Sequence, residues 1–204
     1  DSTALVCISR SLQIMNPWNT AEPMTQWDGV VLWEEGMKGC TPEKVGRVKS
    51  ADFYIFNCKE SLPFEVRYLT AAEELYFFGN ANTFMRDLDL GEDITMLTQL
   101  RRLTVGAYGL VSVPESLKNL KNLEFLDLGS NNFQRVPEVL TKENFPKLKS
   151  LDISSNRRAS LSDLRKRTTD DSKESIGIYN NMNESDVVRK LFLWEETNLQ
   201  FLLN

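Results

Sequence analysis

Leu120-Lys121-Asn122-Leu123-Glu124-Phe125-Leu126-Asp127-Leu128-Gly129-Ser130-Asn131 is the stretch on which the reading of this chain turns. Extended to Pro137, it runs Leu123-x-x-Leu126-x-Leu128-x-x-Asn131-x-Phe133-x-x-Val136-Pro137. Side chains alternate across a strand, so Leu126 and Leu128 share an inner face while Asp127 between them points out. Leu123 and Phe133 flank that strand and reach the same core. Asn131 falls where the chain turns away, and a buried amide there needs backbone partners in an adjacent coil. Such a coil has an apolar edge that only another copy can cover.

Copies recur along the chain. The second apolar anchor of each is Phe53, Leu75, Leu103, Leu126, Leu151, Ile176 and Leu202, at steps of 22, 28, 23, 25, 25 and 26 residues. Five positions after the first six anchors stand Cys58, Asn80, Tyr108, Asn131, Asn156 and Asn181. Asn or Cys at that place, with this period, is the leucine-rich-repeat pattern. From Val48 to its end the chain resembles the leucine-rich-repeat (LRR) family. The resemblance implies an α/β solenoid with a curved, parallel concave sheet and an irregular or helical convex side. Tyr108 departs from the column, so one rung is expected to be broken or rebuilt.

Ahead of the repeats, Leu5, Ile8, Leu12 and Met15 recur at helical spacing after Asp1-Ser2-Thr3, predicting a helix over residues 1–15 that Asn16-Pro17 stops. Trp18, Trp27 and Trp33 come next, with Trp27-Asp28-Gly29-Val30 among them. This W-x-G-V segment directly before a repeat array resembles the N-terminal cap of plant LRR receptors and of many bacterial cell-surface LRR proteins. The plant form carries cysteines beside the motif, whereas Gln26 and Val31 stand here, which favours the bacterial form. The resulting division is a helical capping region over 1–47 and an array over 48–204, about six repeats and a partial seventh. The tryptophans are expected to cover Phe53 and Ile55, the exposed core edge of the first coil.

The chain has 204 residues, 41% apolar and 26% charged, with a net charge of −5 and a pI near 5.0. That balance argues against a general nucleic-acid binder, and no apolar run approaches a membrane span. There is no histidine, which removes Ser-His-Asp and Cys-His catalysis and histidine metal sites; no phosphate-cradling glycine motif occurs either. Carboxylate catalysis alone is the one enzymatic route left, and the reading is non-enzymatic, without cofactor or metal. The acidic stretch Arg86, Asp87, Asp89, Glu92, Asp93 lacks the spacing of a calcium loop. Cys7, Cys40 and Cys58 form neither a disulfide framework nor a zinc signature; Cys7 and Cys40 can pair or stand free. The basic run Arg157-Arg158 and Arg165-Lys166-Arg167 reads most simply as a solvated surface, with a phosphate or acidic-partner site as the alternative. Asp186 to Leu193 reads as a convex helix, and the end within the seventh strand is expected to mean either an array that continues or a last strand that serves as a crude cap.

Function in such an array belongs to the outward residues of the strands. The first column reads Asp52, Glu74, Arg102, Phe125, Ser150 and Ser175; the second, Tyr54, Tyr76, Thr104, Asp127, Asp152 and Gly177; the third, Phe56, Phe78, Gly106, Gly129, Ser154 and Tyr179. Tyr54, Phe56, Tyr76, Phe78, Arg102 and Phe125 are the candidate partner-binding residues, because exposed aromatics and arginine anchor interfaces and rings also stack on sugars. The expectation is a monomeric recognition module for a protein or glycan. The resemblance to capped LRR proteins implies a secreted, periplasmic or cell-surface setting. The alternative is a structural spacer with an idle concave face.

Overall fold

Strands form where two inward apolar residues bracket a polar one, and the coils stack because every such strand has the same need. The computed structural model describes residues 1–14, 17–56, 60–79, 87–134 and 136–156, with Ile55 and Phe56 described by backbone alone. A helix, α1 (Ser2–Ser11), precedes strands β1 (Val30–Leu32), β2 (Val48–Phe56), β3 (Glu74–Gly79), β4 (Leu88–Asp89), β5 (Arg102–Gly106), β6 (Leu110–Ser112), β7 (Phe125–Asp127) and β8 (Ser150–Asp152). Six of them make one sheet in the order β1-β2-β3-β5-β7-β8. Every neighbour from β2 to β8 is parallel, and β1 closes the β2 edge antiparallel. β4 and β6 pair in parallel as a second, two-stranded sheet.

Ala51, Leu75, Leu103, Leu126 and Leu151 lie in register across this sheet, all buried. Phe53, Phe77 and Val105 form the next inner column. The Phe53 and Phe77 rings stack with centroids 4.8 Å apart. Burying one such side chain contributes roughly 1.5–3 kcal/mol. On the return side, Val66 and Leu69, then Leu117 and Leu120, are buried at three-residue spacing. That spacing matches three residues per turn, and 3₁₀ turns form at Phe64–Tyr68, Asp93–Met96 and Glu115–Asn119. Pro63 and Pro114 open two of them, each with the fixed φ that a helical start tolerates.

The asparagines tie coil to coil. Asn131 is fully buried, and its Oδ1 accepts from the backbone N–H of Tyr108, Gly109 and Leu110 in the preceding coil at 3.0–3.1 Å. Its Nδ2 donates to the carbonyls of Val105, Leu128 and Gly129. Asn156 repeats the arrangement, accepting from Phe133 N–H and donating to Leu128, Ile153 and Ser154. Ala107, Ser130 and Ser155, each one residue earlier than the column, adopt φ of 49°, 55° and 56°. A left-handed turn costs a non-glycine residue about 1–2 kcal/mol, and the asparagine bonds beside it offset that cost. At Tyr108 the rung is rebuilt: the buried ring sends its hydroxyl to the Glu60 carbonyl, 3.0 Å away.

Four sequence expectations change. The first coil is registered two residues earlier than its apolar pattern suggested, with Ala51 and not Phe53 opposite Leu75; the larger Phe53 fills the next column. α1 ends at Ser11, before the Asn16-Pro17 stop. Gln13 turns left-handed (φ 53°), and Gln13 and Ile14 N–H bond back to Arg10 and Ser9, a glycine-type helix end without glycine. Asp1 does not cap the helix with its side chain; its carboxylate binds the Arg47 guanidinium and the Val48 N–H, joining α1 to the start of β2. Of the tryptophans, Trp18 meets Phe53 edge-on and stacks on Trp27, but Trp33 is buried elsewhere with its N–H on the Ala71 carbonyl. Met15, Cys58, Asn80, Arg86 and everything from Arg157 onward, including the later repeats, the basic run and the convex helix, lie outside the described residues.

Asn131→Ala removes the partner of six backbone groups, most of them buried, so we expect it to cost about 3 kcal/mol or more. Asn122→Ala, which loses bonds to Thr98 and Lys147 in an exposed setting, should cost under about 1 kcal/mol. Urea unfolding of the two variants compares them; equal losses would contradict the coil-tying role.

Candidate functional site

The outward residues of β2, β3, β5, β7 and β8 form one continuous face. Adjacent strands lie roughly 4.8 Å apart, so residues in register are direct neighbours. Asp52, Tyr76, Thr104, Asp127 and Asp152 are in register, and so are Tyr54, Phe78 and Gly106. Glu74, Arg102, Phe125 and Ser150 form the third row. The shift of the first coil therefore places Tyr54, and not Phe56, beside Phe78. Phe56 pairs through its backbone with Gly79 across an irregular register.

Tyr54 and Phe78 are the exposed rings, at 51% and 41%. Phe78 packs against Gly106, where a Cβ would sit 2.8 Å from the ring; the glycine leaves room for it. Tyr76 is half-buried and donates from its hydroxyl to Glu74 Oε2 at 2.6 Å. Burial first, and then the hydrogen bond to Glu74 and its charge, holds its hydroxyl well above the usual phenol range. The Tyr54 hydroxyl is raised by burial and by Asp52. Asp52 is itself raised, chiefly by burial and further by Asp28 and Glu74. Arg102 and Phe125 do not act separately: the guanidinium lies 4.0 Å over the Phe125 ring centre and 3.8 Å from Glu74 Oε2.

Two features escaped the sequence reading. One is a column of alternating charge at the corner where the chain enters its strands. Lys44 faces Glu73, Arg101 bridges Glu73 and Glu124, and Lys149 reaches Glu124. Lys149 first, then Arg101, holds the Glu124 carboxyl below its usual range. The signal was present as Glu73, Arg101, Glu124 and Lys149, each two residues before its anchor. The other is the turn made by Asp127 and by Asp152, its neighbour in the second column. Each accepts its own i+2 backbone N–H, from Gly129 at 2.8 Å and Ser154 at 2.7 Å. The repetition of this turn marks it as part of the coil design. The acidic stretch is likewise engaged: Asp89 accepts from Ser112, Glu92 from Ser116, and Asp93 from Arg67. Among the described residues, no group of His, Cys, Asp or Glu could hold a metal ion, and no helix is long and apolar enough to cross a membrane. Cys7 and Cys40 are free thiols.

Burial, and then repulsion from Asp152, pushes the Asp127 carboxyl up to about 6 from an ordinary 3.8. A carboxyl raised on folding binds its proton more tightly in the native state. It therefore contributes stability that is present below about pH 3.8 and lost as pH rises through about 6. Asp127→Asn keeps the acceptor for Gly129 N–H and removes the titration. We expect the variant to lose less stability than the wild type between pH 4 and 7, by at most about 3 kcal/mol. Identical pH slopes in denaturant unfolding would overturn the assignment.

Residues 121–166 match the family model described as leucine rich repeats (2 copies). A search of curated proteins finds no match. Among solved structures, the chain is similar to a plant ice-binding protein, with a TM-score of 0.54 and 22% identity over 75% of this chain and 49% of that one. It is similar to the LRR ectodomain of the receptor kinase SOBIR1 from Arabidopsis thaliana, with a TM-score of 0.55 and 18% identity over 88% and 90%. The BIR2 ectodomain from Arabidopsis thaliana aligns with a TM-score of 0.47 and 16% identity over 78% and 80%. The chain spans about half the length of the ice-binding protein that it matches. The stacked parallel strands, the asparagine ties and the matched repeats agree: this chain carries leucine-rich repeats in a leucine-rich-repeat-like fold.

Proposed function

We propose that the chain is a non-catalytic recognition module that binds a protein partner on its concave strand face through Tyr54, Phe56, Tyr76, Phe78, Arg102 and Phe125. The observation that carries this reading is the pair of exposed rings, Tyr54 and Phe78, held side by side on adjacent strands. Rings presented to solvent by a rigid sheet lose little entropy on contact, and aromatic residues dominate interface energetics. Arg102, stacked on Phe125 and ion-paired to Glu74, extends the same surface. The fold shared with the ectodomain of a receptor kinase supports an interaction role and a secreted, periplasmic or cell-surface setting. A bacterial, cysteine-poor cap rests on Gln26 and Val31 beside Trp27–Val30 alone.

The spacer reading predicts the opposite behaviour of the same residues. Tyr54→Ser/Phe78→Ser removes two exposed rings and should change stability by less than about 1 kcal/mol. Partner capture from a cell-surface protein display, scored beside the wild type, should drop at least tenfold with circular dichroism unchanged. Equal capture by both proteins would move the spacer reading to the front.

A further inference from the structure

The concave face already shows how it treats one guanidinium. Arg102 lies between an aromatic ring and a carboxylate, 4.0 Å above the centre of Phe125 and 3.8 Å from Glu74. Tyr54, Phe78 and Asp52 offer the same combination one and two strands away, with both rings exposed. Among the described residues, no cation lies over either ring or pairs with Asp52. Farther along, Asp127 and Asp152 stand side by side on neighbouring strands, again without a cation among the described residues. Among the described residues of the face, four carboxylates (Asp52, Glu74, Asp127, Asp152) thus meet one guanidinium, Arg102, which is itself already engaged.

We infer that the partner is a polypeptide segment presenting arginine side chains, one seated on Tyr54 and Phe78 against Asp52 and another against Asp127 and Asp152. This rests on the concave-face reading above. Arginine suits these seats better than lysine, because its planar group stacks on a ring while donating to a carboxylate. Burial disfavours the charged forms of Asp52 and Asp127 in the free protein, and a guanidinium relieves that cost. The two seats are three to four inter-strand steps apart, roughly 14–19 Å. An extended segment covers that span in about four to six residues, which fixes the expected spacing of the two arginines.

The test selects a random-peptide library against the full chain, its Asp52→Asn/Asp152→Asn variant and its Tyr54→Ser/Phe78→Ser variant. The expected result is enrichment of peptides with two arginines about four to six residues apart. Their affinity should fall at least tenfold on either variant and when citrulline replaces arginine. Enriched peptides without arginine that still need Tyr54 and Phe78 would overturn the arginine inference and leave the concave face as the site. Loss of a glycan-array signal on the Tyr54/Phe78 variant, with no peptide enriched, would do the same in favour of a sugar. Arginine peptides that bind all three proteins equally would reflect general attraction to an acidic chain and overturn both readings.

Discussion

The buried carboxamide of Asn131 is the interaction on which the rest of this structure depends. A parallel stack of short strands must turn its chain back at the end of each strand. The turn exposes backbone groups at a place where water is excluded. Tyr108, Gly109 and Leu110 have their N–H groups there together, and one side-chain oxygen accepts all three. The amide nitrogen then returns to carbonyls of both coils. An unpaired buried amide costs about 1–3 kcal/mol, so the three that Asn131 satisfies weigh heavily in whether its coil closes on the one before. Asn156 ties the next coil in the same way, and at the Tyr108 position the hydroxyl instead donates to the Glu60 carbonyl.

That rigidity is what makes the strand face usable. With Ala51, Leu75, Leu103, Leu126 and Leu151 locked in register beneath, the outward residues can move little along the strands. The charged column from Lys44 to Lys149 runs along the corner and contributes modestly, since Arg101 and Lys149 are largely in water. On the open face the chemistry changes along the stack. Rings and carboxylates occupy β2 and β3, a ring-stacked arginine occupies β5 and β7, and paired aspartates end the described sheet.

The coils around Leu103, Leu126 and Leu151 were legible in the sequence because each places leucine at its inward anchor and a polar residue beside it. The 3₁₀ return segments were legible in outline from Pro63, Pro114 and the three-residue leucine spacing. The first coil was not, because its inward anchor is a small alanine. Phe53, two residues on, carries the stronger apolar signal, and the step that resulted displaced Tyr54 and Phe56 by one place across the sheet. The end of α1 was hidden for a similar reason: Gln13 carries no sign that it turns left-handed, whereas Asn16-Pro17 advertises a stop that the helix never reaches. The second sheet, formed by Leu88–Asp89 with Leu110–Ser112, is too short for periodicity to show. Of the site, the aromatic rows could be read from strand alternation alone. Arg102 and Phe125 were neighbours in the first column too, but the seating of the guanidinium on the ring could not be read, because it depends on side-chain conformation.

Amide hydrogen exchange at Tyr108, Gly109 and Leu110 tests the central claim most directly. All three amides donate to the single oxygen Asn131 Oδ1, so their shared protection reports that interaction. These amides should exchange only through global unfolding, as slowly as the core amides of Leu103 and Leu126. Exchange through local opening, orders of magnitude faster than the core, would show that the coils are held together by apolar packing alone and that the asparagine is incidental.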